Sequence, residues 1–200
     1  LIKLAKKHKV KSLAITDYLN MFAAIKFYQK CIDNNIKPII GCQIPLKDRL
    51  SNHHLGSVVL LCQNIAGYKN LIKLISQIHI QKKPNENPGV TIDQLKQYNE
   101  NNLLLSGGRT GFLGNNLLID NSDKIIDLTK RLSDIFQNRM YLQIDRIKAE
   151  NEDIYNNKTI QISEKLNLPL VATNSVLFLD RHDFDAHEVR VCINKKIKLD

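Results

Sequence analysis

The 200-residue sequence is first notable for what it lacks. No glycine-rich loop of the G-x-G-x-x-G or Walker type is present, so neither standard nucleotide-phosphate cradle is available; Ser106–Gly107–Gly108 alone is too short a signal. Cys31, Cys42, Cys62 and Cys192 show no C-x-x-C spacing, and each lies among apolar residues. That pattern predicts buried, reduced thiols rather than a zinc site or a disulfide framework, and with it a cytoplasmic protein. No apolar run approaches the ~18 residues of a membrane-spanning helix. Acids are also in short supply: 29 Lys+Arg stand against 20 Asp+Glu, a net charge of +9. This balance permits contact with nucleic acid or another anion. The lysines are scattered rather than striped, so the charge reads equally well as the residue bias of an AT-rich coding sequence.

What is present is a rhythm. Short apolar runs (Ser12–Thr16, Lys37–Ile44, Gly56–Cys62, Asn102–Ser106, Met140–Ile144, Leu170–Thr173) alternate with stretches of helical periodicity. The helical stretches are Leu1–Lys9, Met21–Asn34, Ala66–Lys82, a short helix from Thr91 to about Tyr98, Arg109–Ile119, Ser122–Asn138, Asn151–Leu166 and Asp180–Asn194. Thr91 and Ser122 are placed to cap the helices they begin. On Met21–Asn34 the residues near a 3.6 period are Phe22, Ile25, Tyr28, Gln29 and Ile32. On Ala66–Lys82 they are Leu71, Leu74, Ile75 and Ile78, and on Asn151–Leu166 they are Ile154, Tyr155, Thr159, Ile162 and Leu166. Strands apolar on both faces, separated by helices, predict an α/β fold with mainly parallel strands in one domain. A 43% apolar content is enough for a core. Leu1 already lies in a helical pattern and Asp200 ends the chain without a tail, so the sequence reads as an internal fragment.

The stretch Val171–Asn194 predicts a buried strand, a loop and a helix with acids in its first turns and Lys195 and Lys196 at its end, as the helix dipole favours. Asp183, Asp185, His187 and Glu188 crowd this unit. In a barrel of parallel strands such a strand end is where chemistry is placed.

The segments LAITDYLNMFAAIKFYQKC, IKPIIGC, GYKNLIKLIS, LLLSGGRTG, LPLVATNSVLFL and DFDAHEVRVCI, in this order and spacing, resemble the N-terminal PHP domain of the bacterial replicative (C-family) DNA polymerase III alpha subunits. The resemblance covers nearly all of residues 1–200. It implies a distorted (β/α)7 TIM-like barrel, incomplete at its N-terminus. The family's first strand and H-x-H motif are missing, and palm, fingers and C-terminal regions lie beyond the chain. In metal-binding members, histidines and carboxylates from different strand ends hold up to three ions at the barrel mouth. Such ions polarise a phosphate and generate hydroxide at neutral pH.

Laid onto this chain, the family's Asp-His after its first motif strand is Asp17-Tyr18, and the usual Glu of the next strand is Gln43. The His before the third run falls at Ser57, with His53 and His54 out of register. The ligand after Ser-Gly is Gly108, and a late-strand His falls near Arg146–Ile147. The Asn-Asp-x-His-Tyr pattern is Asn174-Ser175-Val176-Leu177-Phe178, while the Asp-x-His pair persists as Asp185 and His187. The resemblance therefore implies a degenerate site whose remnants are Asp17, Asp185, His187 and Arg146, with no metal bound in these residues. Such a domain is a scaffold that helps dock a separate proofreading exonuclease subunit. The full protein would be a DNA-directed DNA polymerase using DNA, dNTPs and palm-bound Mg2+, together with a sliding clamp and clamp-loader subunit. The competing readings are an active metal-dependent phosphoesterase or 3′-5′ exonuclease, and a stand-alone binding module. The remnants also have structural readings. Asp17 would cap the following helix, His187 would be held by Asp183 or Asp17, and Arg146 would pair with Asp185 or Asp17. His8 and His79 read as surface residues.

Overall fold

The structure, a computed structural model, describes residues 1–48, 54–82, 84, 86–118, 122–174, 176–178 and 180–198, with the side chains of Ser122 and Lys195 outside the description. His53, Ile119, Ser175 and Asp200, and the cap expected from the Ser122 side chain, therefore lie outside the described residues.

Six strands form one curled sheet in the order of the chain. They are β1 (Ser12–Ile15), β2 (Lys37–Lys47), β3 (His54–Cys62), β4 (Asn102–Leu105), β5 (Met140–Asp145) and β6 (Leu170–Thr173). β1 pairs with β2, β4 with β5 and β5 with β6, all in parallel, while β3 pairs antiparallel with both its neighbours. Five strands thus run one way and β3 runs against them, in the arrangement of an incomplete TIM-like barrel. The reversal follows from the short β2–β3 connection. A parallel return needs a crossover of a dozen or more residues, and Lys47 is followed by the next strand only seven positions on, at His54.

The helices are α1 (Ile2–Lys7), α2 (Ala24–Asp33), α3 (Ile65–Ile80), α4 (Ile92–Tyr98), α5 (Phe112–Leu117), α6 (Ser122–Ile135), α7 (Glu152–Leu166) and α8 (Phe184–Lys195), the last preceded by a 3-10 turn at Arg181–Asp183. Local chemistry sets their ends. The Asn64 side chain accepts from the backbone N–H groups of Ala66 and Gly67, opening α3. Thr91 and Gln94 exchange bonds across the first turn of α4, the capping box that the sequence predicts in part. Asn35 and Asn167 take left-handed backbone (φ 56° and 52°) where α2 and α7 stop.

One core joins β2–β5 to α3–α7, with Tyr155, Phe112 and Phe136 its largest fully buried side chains. Leu71, Leu74, Ile75 and Ile78 of α3 are buried as the periodicity predicts. α2 differs. It buries Ala24, Phe27 and Cys31 and leaves Phe22, Ile25, Tyr28 and Ile32 exposed. Both triplets fit a helical period, and the larger apolar set has been left facing outward. On α7 the same competition puts Tyr155, Thr159 and Ile162 inside and Ile154 outside. β6 is half-exposed rather than buried, because it is the sheet's outer strand, and α8 buries none of its described side chains. No helix among the described residues is long and apolar enough to cross a membrane.

Candidate functional site

The ends of the parallel strands define one rim, and two polar groupings stand on it. The first is at β1 and β2. The Gln43 N–H donates to the Asp17 carbonyl (3.0 Å) and the Leu19 N–H to the Gln43 carbonyl (2.9 Å), extending β1–β2 pairing past the end of β1. Beneath them the Cys42 thiol donates to the Asp17 carbonyl at 3.1 Å. Burial pushes this thiol up to about 11. The His79 ring Nε2 donates to the Leu19 carbonyl (2.9 Å), so α3 tethers the same loop. All of these contacts use the backbone of Asp17–Leu19. The half-buried Asp17 carboxylate has no hydrogen bond or ion pair among the described residues. It does not cap α2, which begins at Ala24 without a side-chain cap.

The second grouping joins β4, β5 and β6, and it is closed. The Gly107 N–H donates to Gln143 Oε1 (2.5 Å), Gln143 Nε2 donates to Thr173 Oγ1 (3.1 Å), and Thr173 Oγ1 donates to Asp145 Oδ1 (2.7 Å). The Arg109 N–H reaches Asp145 Oδ2 at 3.4 Å. Behind this chain the Gln143 N–H donates to the buried Ser106 hydroxyl (2.9 Å), and Tyr155 donates its hydroxyl to the Gln143 carbonyl (2.5 Å). Asn156 brackets Asp145, taking its N–H at 3.3 Å and donating to its carbonyl at 2.7 Å. Burying a carboxylate is costly unless hydrogen bonds replace its water, and here a hydroxyl and an amide do so at a side chain only 4% exposed.

Two glycines make that closure possible. Gly107 and Gly108 have φ of +84° and +68°. A Cβ at Gly107 would collide with the Ser57 carbonyl oxygen, and one at Gly108 would press on Asp145 Oδ2 at 3.1 Å. Gly108, Arg146 and Asn174, to which the family's ligand positions map, each directly follow a member of this closed chain.

Arg146 itself is exposed. It forms no ion pair with Asp17 or Asp185, and the acid its charge acts on is Glu152. The Ile147 N–H (2.6 Å), then the Ala149 N–H (3.2 Å), and also Arg146 hold the Glu152 carboxyl below the usual carboxylate range. The acids of the C-terminal unit do not crowd a mouth. Asp183, Asp185 and Glu188 are exposed, and Asp183 Oδ2 accepts from the Asp180 N–H (3.1 Å) at the start of the 3-10 turn. His187 is held by neither Asp183 nor Asp17; its ring packs on Phe178, with centroids 5.5 Å apart.

No three His, Cys, Asp or Glu side chains among the described residues converge as metal ligands would. The donors at the mapped positions do not fit a hard or borderline cation. Gln43 offers a neutral amide, Gly108 has no side chain, Arg146 is a cation, and both oxygens of the neighbouring Asp145 are already engaged. Gln143, Asp145, Ser106 and Thr173 are absent from the sequence-based site. A signal for two of them was visible: Gln143 and Asp145 are polar residues at i and i+2 in the apolar run of β5, on one face of the strand.

Strand order, rim and helix placement belong to one class of fold, and the sequence agrees. Residues 1–147 match the family defined as the PHP domain, and the chain belongs to that family. Over its whole length it is 36% identical to the DNA polymerase III subunit alpha of Escherichia coli (strain K12) and 32% identical to that of Haemophilus influenzae. Over 94% of its length it is 34% identical to the DNA polymerase III subunit alpha of Pseudomonas aeruginosa. The chain spans 16–17% of the length of these relatives.

Proposed function

We propose that this chain is the PHP region of a replicative DNA polymerase of the DNA polymerase III alpha type, and that within it the PHP barrel is a metal-free scaffold. The observation that carries the first half is identity of 32–36% sustained across all 200 residues to subunits of that name. The second half is supported by the rim. Where a metal-binding member needs convergent anionic or imidazole donors, β4–β6 carry a hydrogen-bonded chain whose acceptors are already used.

In this reading polymerisation belongs to a palm outside these residues, with its own Mg2+, dNTPs and primed DNA. The scaffold's role is to help dock the proofreading exonuclease subunit of a cytoplasmic holoenzyme that also includes a sliding clamp and clamp loader. Elemental analysis of the full-length protein, purified without chelator and assayed for primer extension, tests both halves. Template-directed extension with no stoichiometric Zn, Mn or Fe is the expected result. Absence of extension would overturn the polymerase assignment. Tightly held ions that persist after the palm aspartates are replaced, accompanied by nucleotide release from 3′ ends, would replace the scaffold with an active phosphoesterase.

A further inference from the structure

The outward apolar face of α2 does not stand alone. Between α2 and α3, over the β2 and β3 strands, lies a groove of about 490 Å³. Its walls are Ile25 and Tyr28 on α2, Ile65 and Tyr68 on α3, and its floor includes Pro38 and Ile40. Ile25 and Ile65 are 59% and 68% exposed, and Ile72 continues the α3 stripe one turn on. Apolar side chains gathered at this density on a surface mark a place where another surface sits.

The charge around the groove is one-sided. Residues 18–47 and 54–82, which build β2, β3, α2 and α3, hold seven lysines and a single acid, Asp33, although the whole chain has 20 acids. Lys69 and Lys73 stand exposed on α3, Lys26 and Lys30 on α2, and Lys37 at the start of β2. We infer that this groove docks a protein segment of complementary character: a short amphipathic segment with apolar anchors at helical spacing and aspartates or glutamates on its flanks. Basic charge alone would serve nucleic acid equally well. The groove's isoleucines and proline decide for a peptide, since they give a phosphate backbone nothing to bond and an apolar anchor much to cover. The inference is independent of whether the rim binds metal.

The test uses the full-length protein and a fluorescent peptide of ~16 residues with Leu at i, i+3, i+4 and i+7 and Glu between. Anisotropy should show saturable binding to the unchanged protein. Ile65→Ser or Ile25→Ser should weaken it about tenfold, as loss of a buried anchor does. Lys69→Gln with Lys73→Gln should weaken it less and flatten its dependence on salt. These four positions are exposed, so circular dichroism melts should be unchanged and a loss of binding is not a loss of fold. Four results would overturn the inference. One is no binding to the full-length protein, as when its own remaining chain covers the groove. Another is equal binding of the peptide with Lys in place of Glu. The others are displacement by single-stranded DNA with no effect of the isoleucine changes, and concentration-dependent dimerisation abolished by Ile25→Ser.

Discussion

Asp17 and Asp145 stand on the same rim and have opposite surroundings. Asp145 is buried and bonded through both oxygens, by Thr173 and by the Arg109 backbone, and its neighbours form a chain of matched donors and acceptors. Asp17 is half-buried, its backbone is bonded on both sides, and its carboxylate is bonded to nothing among the described residues. A carboxylate with a full set of partners reads as structure. A carboxylate placed by its backbone and left unbonded is one that can still accept a ligand. The remnant of any older site on this rim is therefore concentrated at β1, and the β4–β6 end has been converted to packing.

The largest test of that contrast is at the closed end. Gly107→Ala puts a methyl into the Ser57 carbonyl oxygen at a positive φ that alanine rarely adopts. Strain and clash together should cost about 3 kcal/mol or more, enough to unfold a marginal domain in thermal denaturation. Asp145→Ala comes next. It leaves the Thr173 hydroxyl and the Arg109 N–H without their acceptor, and about 2–3 kcal/mol is expected in urea denaturation. A negligible loss from Asp145→Ala would mean the chain of bonds is incidental.

Much of the frame was legible in the sequence. Six apolar runs marked six strands, and α3, α4 and α6 followed their periodicity because each has one dominant apolar face. What was not legible depended on contacts between distant segments. α2 has two apolar faces, and which one is buried is decided by β1 and β2, so Phe27 and Cys31 went inside and Phe22 stayed out. The strand direction of β3 depended on how few residues connect it to β2. The expected convergence of Asp185 and His187 with Asp17 assumed that α8 folds back over the rim, whereas its side chains meet only local partners such as Phe178. The closed network was hidden for the same reason, since Ser106, Gln143 and Thr173 come from three strands and only their pairing brings them together.

A smaller effect is pH-dependent. Glu152 accepts from the Ile147 and Ala149 N–H groups, and its folded carboxyl lies below its ordinary value. A depressed carboxylate stabilises the fold above its unfolded pKa and loses that contribution as pH falls through the folded one. Glu152→Gln should therefore lower the melting temperature at neutral pH, with the difference closing at pH values below the normal carboxylate range. A difference that persists unchanged into acid would assign the effect to shape rather than charge.

The smallest expected effect is at the open end, and it is the most informative for function. Asp17→Asn keeps size and backbone bonding, and the carboxylate it removes has no partner to lose. Thermal denaturation should shift by less than about 0.5 kcal/mol, the usual range for a change away from a bonded network. In the full-length protein the same substitution should leave metal content and primer extension unchanged if the rim is a scaffold. Should Asp17→Asn instead release a bound ion from a protein whose β4–β6 end is intact, the open carboxylate would be a working ligand completed by residues outside this chain. The two ends of the rim would then differ in function as well as in bonding.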